Sequence, residues 1–178
     1  MRLNGLEVPE HFNGVGLHDT PGSETASWGY QQAVSHAREL QDHGITLYKL
    51  FGGTTKVERG RAYVDEGIVT AVRFWQDKPW GRGHYQWVTP PNELGMFVGA
   101  GVRLFELGWN EFNIADEWAV PIPGPEAIAV EVVNAWETGL ERCEGAPGAI
   151  PMFPSNTPGG HVDHLSLIHI SEPTRLDA

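Results

Sequence analysis

The chain has 178 residues, of which 40% are hydrophobic and 20% charged, so its composition suits one folded domain and excludes a disordered chain. The formal net charge of −11 argues against nucleic acid and anionic membranes as partners, because both require a basic surface. The sequence contains one cysteine, Cys143, which excludes an intrachain disulfide.

The sequence shows no targeting or membrane-spanning segment. Residues 1–12 lack a long apolar run after a basic region, and no stretch reaches the roughly 20 apolar residues that span a bilayer. We therefore expect a cytoplasmic protein with no membrane partner, provided that the sequence begins at the true N-terminus.

The first half of the chain predicts two strand–helix cycles. Apolar residues 12–17 predict a first strand, and apolar positions at helical spacing over 30–40, followed by Gly44, predict the first helix. A second strand is predicted at 46–51, and a short helix over 57–66 ends before Gly67.

The second half continues the same alternation. A β-branched and aromatic run predicts a third strand at 68–75. Thr89-Pro90-Pro91 predicts a helix start, with Thr89 as N-cap and proline in the first turn, and this helix ends near Gly101. A fourth strand at 102–107, a longer helix at 126–143 and a short fifth strand at 149–153 complete the pattern.

Strands that alternate with helices predict an α/β fold with a parallel sheet and right-handed crossovers. An open doubly wound sheet and part of a barrel both fit, but no Gly-x-Gly-x-x-Gly follows the first strand. We expect a partial (β/α)8 TIM barrel, about the first four to five β/α units, over residues 1–154. A complete barrel needs about 250 residues and eight strands, so this catalytic domain is expected to be truncated.

The C-terminal segment is expected to be a disordered or non-native tail over residues 155–178. Residues 165–175 read LSLIHISEPTR, which resembles the in-frame translation of a transposon-based sequencing adaptor. This resemblance implies that the gene was cut at a read end during assembly of environmental DNA.

The fourth predicted strand leads into a motif with a family resemblance. The chain there reads Gly108-Trp109-Asn110-Glu111-Phe112. This run resembles the Gly-Asn-Glu-Pro signature of the clan A (β/α)8 glycoside hydrolases, with Trp109 inserted and Phe112 in place of proline. The resemblance implies that Glu111 is the general acid/base, and that the nucleophile is a second Glu at the end of a seventh strand.

The chemistry of glycoside hydrolysis favours the same carboxyl group. One carboxylic acid must protonate the leaving oxygen, and apolar surroundings favour its protonated form. Glu111 lies between Trp109 and Phe112, and Asn110 can hydrogen-bond a sugar hydroxyl. The alternative is a solvated loop carboxylate.

Tryptophans concentrate where a barrel binds its substrate. Six of the seven fall at predicted strand ends or in strand-to-helix loops: Trp28, Trp75, Trp80, Trp87, Trp109 and Trp118. Flat aromatic faces pack against sugar rings, so we expect a carbohydrate cleft with Trp75, Trp109 and Trp118 as substrate-binding residues. A small core within the loops is the alternative for some of them.

Polar residues near the ends of the first three strands are further candidates. His18 and Arg73 can bind substrate hydroxyls or hold Glu111, and Lys49 in the second strand belongs to the same set. Structural ion pairing is an equally good alternative for Arg73 and Lys49.

These features predict a retaining glycosidase for a β-linked glycoside or polysaccharide, without cofactor or metal, and inactive as this fragment because the nucleophile is missing. His161, Asp163 and His164 are set aside as metal ligands because they adjoin the adaptor-like segment. A metal-dependent sugar isomerase or hydrolase using His18, Asp19 and Glu111 is the first alternative. A non-catalytic carbohydrate-binding or structural half-barrel is the second, with exposed edge strands that invite a homo-oligomer.

Overall fold

The structure is a computed structural model, and it describes residues 2–3, 6–19, 27–74, 92–106, 111–118 and 120–152. Its strands are β1 Arg2–Leu3, β2 Leu6–Glu7, β3 Gly16–His18, β4 Leu47–Phe51, β5 Val69–Arg73, β6 Leu104–Glu106 and β7 Ile150–Met152. Its α-helices are α1 Tyr30–Asp42, α2 Val57–Asp65, α3 Glu93–Gly99 and α4 Pro125–Glu144, with 3-10 turns at Thr54–Lys56 and Ala115–Glu117.

Strands β3 to β7 form one parallel sheet in the order β3-β4-β5-β6-β7. Each strand pairs with the next one along the chain, and helices separate them in sequence, which confirms the predicted α/β alternation. A doubly wound sheet has a point where the strand order reverses, and the described strands contain none.

The sequence did not predict the short antiparallel pair β1–β2, in which Arg2 lies opposite Glu7 and Leu3 opposite Leu6. Two-residue strands are too short to produce a readable alternation of apolar and polar residues. The start of α3 also differs from the prediction at Thr89: the helix begins at Glu93 with Asn92 as its N-cap, and residues 89–91 lie outside the described residues.

A glycine follows each of the first two helices, α1 and α2, as the sequence predicted. Gly44 follows α1 with φ +72°, and Gly67 follows α2 with φ +80°. The N–H of Gly44 donates to the Gln41 carbonyl at 2.8 Å, and that of Gly67 to the Val64 carbonyl at 2.9 Å. A left-handed residue is required where the chain leaves a helix in this way, and glycine adopts that conformation without steric cost.

Contacts divide the chain into two compact units. The first comprises Met1–Trp75, Thr89–Glu106 and Arg142–Met152, and therefore contains the five-stranded sheet with α1, α2 and α3. Among the described residues, the second comprises 111–118 and 120–141, and therefore contains the segment around Glu111 and most of α4.

One face of the sheet in the first unit packs against helices. Tyr48 of β4 lies 4.8 Å from Tyr63 of α2, measured between ring centroids, and Phe74 lies 5.9 Å from Phe97 of α3. Leu50 is fully buried on the same side of β4 as Tyr48. Alternation along the strand therefore directs Lys49 and Phe51 toward the opposite face of the sheet.

The second unit has a core of its own, formed by Phe112, Trp118, Ile128, Ala129, Val132 and Ala135. Val120 and Ile122 pack against this cluster. The indole N–H of Trp118 donates to the Phe112 carbonyl at 2.9 Å, which satisfies the polar group of a buried side chain.

None of the helices in the described ranges combines the length and the hydropathy of a membrane-spanning segment.

Candidate functional site

Polar side chains gather where the strands of the sheet end. We call this end of β3 to β6, with the residues directly after each strand, the carboxyl edge. Parallel β/α folds place their binding and catalytic groups at this edge, because the strand-to-helix loops emerge there. Among the described residues, the charged and ionisable side chains of the carboxyl edge and of the helix start beside it include His18, Asp19, Lys49, Lys56, Arg59, Arg73 and Glu106.

Asp19 is the centre of a buried network at the end of β3. It is 2% exposed, and its Oδ1 accepts hydrogen bonds from the Tyr48 hydroxyl at 2.9 Å and from Arg59 Nη2 at 2.7 Å. The Lys56 ammonium lies 4.0 Å from Oδ2 of the same carboxylate. A buried carboxylate is tolerated only when charges and hydrogen bonds compensate it, so this network holds Asp19, at the end of β3, against α2.

The network also determines the protonation of its members. Burial, the charge of Asp19 and the hydrogen bond to Asp19 raise the pKa of Tyr48, so this tyrosine remains a donor. Burial lowers the pKa of Lys56, with Asp19 opposing that change and Arg59 adding to it. Burial likewise lowers the pKa of His36, whose Nδ1 lies 2.8 Å from the Tyr63 hydroxyl.

A second ion pair lies on the sheet face opposite the helices. Lys49 Nζ donates to Glu106 Oε2 at 2.7 Å, and the Glu106 side chain is 2% exposed whereas that of Lys49 is 26% exposed. Lys49 lies opposite Ala71 in register, and the small Ala71 side chain lets Lys49 reach across β5 to β6. The structure thus shows the ion-pairing alternative for Lys49.

His18 and Arg73 lie at the carboxyl edge as the sequence predicted. His18 is exposed on β3, with Nδ1 2.6 Å from the Asp19 carbonyl oxygen. Arg73 ends β5 opposite Glu106 in register, and its guanidinium carbon lies 5.5 Å from the centroid of the Phe51 ring. Both residues belong to the first compact unit.

Glu111 follows the fourth strand of the parallel sheet, β6, and belongs to the second compact unit. It is partly buried, and its φ of +46° makes it the non-glycine residue with a left-handed backbone among the residues described. This conformation costs a non-glycine residue about 1–2 kcal/mol, and such residues concentrate at functional sites. The next residue, Phe112, is 1% exposed.

Of the three tryptophans predicted to bind substrate, the structure describes one, Trp118. Trp118 is 5% exposed and packs in the core of the second unit, so its described contacts are structural, and a sugar-binding role for it stays a prediction. Trp75, Trp109 and the neighbouring Asn110 lie outside the described residues, as do Trp80 and Trp87.

Sequence reasoning missed Arg59 and Tyr48, the two partners of Asp19. Their contacts with Asp19 span 40 and 29 positions of the chain, which local periodicity does not reveal. One signal was present: Arg59 lies three and four residues before the buried Ala62 and Tyr63, on the apolar side of α2. A charged residue on that side needs a buried partner.

A cavity of about 340 Å³ lies at the other end of the sheet, beside the start of β4. Its lining includes Asn13, Gln41 and Thr46, and these side chains already bond within the protein. Asn13 Nδ2 donates to the Gly44 carbonyl at 2.9 Å, and the Thr46 hydroxyl donates to Asn13 Oδ1 at 2.7 Å. The hydrogen bonds stabilise the turn after α1, so the carboxyl edge is the better candidate site.

The described residues contain no group of three or more His, Cys, Asp or Glu side chains that could hold a metal ion. Comparison of the chain with models of protein families, with curated proteins and with solved structures found no match. The function is therefore argued from the residues of the chain and their geometry.

Proposed function

We propose that this chain is the N-terminal part of a (β/α)8 barrel glycoside hydrolase in which Glu111 is the general acid/base. The observation that carries the proposal is the place of Glu111 in the chain, five residues after the end of the fourth strand of a parallel sheet whose strands follow one another in chain order. In clan A enzymes, which the motif resembles, the acid/base occupies this place in the barrel.

The strand order supports a barrel over an open doubly wound sheet. In a barrel each strand pairs with its successor, and the helices cover one face while the other face becomes the interior. The described sheet has that order, and α1, α2 and α3 contact one face of it. Lys49 and Glu106 then belong to the barrel interior, where polar residues near the carboxyl ends of strands contact substrate.

The backbone at Glu111 supports a catalytic role independently of the motif. A left-handed glutamate is retained at a cost of about 1–2 kcal/mol, although glycine, or asparagine at lower cost, would relieve the strain. Strain of this kind persists where the direction of a side chain matters more than local stability. Burial of Phe112 and Asn113, which follow directly, fixes the backbone on one side of Glu111.

In the proposed reaction, the Glu111 carboxyl group donates its proton to the glycosidic oxygen as the bond to the anomeric carbon breaks. A second carboxylate, on a seventh strand, attacks the anomeric carbon from about 5–5.5 Å away from Glu111 in a retaining enzyme. Glu111, now ionised, removes a proton from the water that hydrolyses the glycosyl-enzyme ester. The 178-residue chain lacks the attacking group and is expected to be inactive.

The experiment that tests this function uses the longer gene from the source DNA. The complete protein is expected to hydrolyse aryl β-glycosides, with the β-anomer as the first product seen by NMR. The 178-residue chain is expected to show no rate above the buffer control. A longer gene without a Glu at the end of a seventh strand, or a complete protein without glycosidase activity, would refute the proposal.

A further inference from the structure

We infer that Lys49 is a ligand-binding residue, held in position by Glu106, and that it donates hydrogen bonds to an uncharged, oxygen-rich ligand. Identifying that ligand as a sugar rests on the proposed function. The inference itself rests on the geometry of the Lys49–Glu106 pair and on the unequal exposure of its two members.

The two ion pairs near the carboxyl edge differ in the solvent exposure of their side chains. Both side chains of the Asp19–Arg59 pair are at most 1% exposed, so this pair is structural. In the Lys49–Glu106 pair the carboxylate is 2% exposed, whereas the lysine side chain is 26% exposed. The buried anion therefore anchors a lysine whose side chain is still partly exposed.

Lys49 retains hydrogen-bonding capacity after it has paired with Glu106. An ammonium group carries three N–H donors and no acceptor. Within the part of the chain that the structure describes, Glu106 Oε2 takes one of these donors, at 2.7 Å. Because the N–H bonds of an ammonium group diverge, the other two donors can serve the paired oxygens of adjacent hydroxyl groups.

Glu106 restricts where those donors point. Lysine has four rotatable side-chain bonds, so ordering its side chain costs more conformational entropy than ordering a short one. The bond to Glu106 across β5 orders the side chain before a ligand arrives, so binding does not incur that cost again. Glu106 is in this sense a positioning residue for Lys49.

The charge of the pair indicates the class of ligand. Lys49 and Glu106 together are neutral, so the pair itself offers hydrogen-bond donors without a net attraction for anions. Arg73 lies opposite Glu106 in register, and its guanidinium lies over the Phe51 ring, 5.5 Å from the ring centroid. An anionic ligand at Lys49 would also lie close to the Glu106 carboxylate, and like charges oppose binding there. A glycoside with free hydroxyl groups therefore fits better than a uronic acid.

Lysine NMR tests the inference directly, because the 178-residue chain contains three lysines: Lys49, Lys56 and Lys78. The chain is produced with ¹³C-lysine, and the three Hε–Cε signals are assigned with single Lys→Arg variants. Methyl β-D-glucopyranoside, cellobiose and methyl β-D-glucuronide are then titrated into the unsubstituted protein. Lys56 is the internal control, because its ammonium lies beside Asp19 rather than Glu106.

The Lys49 signal is expected to shift in a saturable way with the two neutral sugars, with a several-fold weaker response to the glucuronide, while the Lys56 signal stays fixed. A Glu106→Gln chain that retains the wild-type circular dichroism is expected to bind the neutral sugars several-fold more weakly. A Lys49 signal that none of the three sugars moves overturns the inference, and so does tighter binding of the glucuronide.

Failure here is distinguishable from failure of the proposed function. A static Lys49 signal alongside sugar-dependent tryptophan fluorescence removes Lys49 from the site and leaves the role of Glu111 untouched. A shifting Lys49 signal, together with a complete protein that has no glycosidase activity, retains the binding site and removes the hydrolase.

Discussion

Arg59 and Arg61 lie two positions apart on α2 and have opposite environments. The Arg59 side chain is fully buried and donates to Asp19 at 2.7 Å. The Arg61 side chain is 46% exposed and lies 3.6 Å from Glu58, which is also exposed. The same residue type thus makes a buried network contact at one position and a solvent-screened contact at the other.

We expect Arg59→Met to lower the free energy of unfolding by about 3–5 kcal/mol, because it leaves the buried Asp19 carboxylate without its closest cation. Arg61→Met is the matched control and is expected to change it by less than about 0.5 kcal/mol. Urea denaturation followed by tryptophan fluorescence measures both variants. Equal effects of the two substitutions would contradict the structural role assigned to the Asp19–Arg59 pair.

Cys143 is expected to react slowly in the folded protein. Burial raises the pKa of its thiol to about 11, from an ordinary value of 9.0. The thiolate is the reactive form, and at pH 8 its population falls about 100-fold when the pKa rises by about two units. An aromatic disulfide reagent should therefore modify the native chain about 100-fold more slowly than the chain in denaturant. Similar rates would show that the thiol is accessible.

The candidate residues differ in how local their sequence signals are. His18 and Arg73 were proposed because each lies near the end of a strand, which the local pattern of apolar residues reveals. Glu111 was proposed because the run Gly108-Trp109-Asn110-Glu111-Phe112 after the fourth strand resembles a family signature. The Asp19–Arg59–Tyr48 network was not predicted, since it depends on which strand lies beside which helix. The sequence did not identify the ionic partner of Lys49 for the same reason, because Glu106 is 57 positions away along the chain.

The elements of the sheet were predictable because their buried residues recur with a regular period. Strand β4 was predicted at 46–51 and spans Leu47–Phe51, and α4 was predicted at 126–143 and spans Pro125–Glu144. The start of α3 was predicted three residues too early. Thr89-Pro90-Pro91 carries the usual N-cap and proline signals, whereas the helix begins at Glu93 without a side-chain cap hydrogen bond from Asn92.

Glycines in two elements are expected to respond oppositely to alanine. Gly52 follows β4 and lies against the Phe74 ring, which a Cβ atom would overlap, and its N–H donates to the Arg73 carbonyl at 2.6 Å. Gly52→Ala is expected to destabilise the protein by about 1–3 kcal/mol through overpacking. Gly95 lies in α3 with open space where its Cβ would be, so Gly95→Ala should stabilise it by about 0.5–1 kcal/mol.

Thermal unfolding of the two variants distinguishes these effects by the sign of the change in Tm. A lower Tm for Gly52→Ala and a higher one for Gly95→Ala are expected. If Gly52→Ala unfolds at the wild-type temperature, the close approach of the β4 turn to Phe74 does not occur.

At the scale of the whole molecule, the two outer strands of the described sheet are expected to promote association between copies of the chain. Among the described strands, β3 and β7 each pair with one neighbour, and Leu17 of β3 is 51% exposed. Unpaired strand edges promote pairing with another chain. We expect sedimentation velocity to show association above the 19.6 kDa monomer as concentration rises.

A matched pair of variants locates that association. Leu17→Lys places a charge on the β3 edge and is expected to weaken it, because lysine on an edge strand opposes pairing. Met96→Lys changes a residue that is 41% exposed on α3 and is expected to leave association unchanged. A chain that remains monomeric at every concentration, or equal effects of the two variants, would remove the edge-pairing hypothesis.

Under the proposed function, Glu111 donates a proton to the leaving group. This role is tested by comparing wild-type and Glu111→Gln forms of the complete protein on two aryl β-glycosides, with Asp116→Asn, an exposed carboxylate of the same segment, as control. With 4-nitrophenol as leaving group, kcat/KM of Glu111→Gln should fall about 10²–10⁴-fold. With the better leaving group 2,4-dinitrophenol, which needs little protonation, the loss should be much smaller. Equal losses on both substrates, or no loss on either, would contradict a proton-donor role for Glu111.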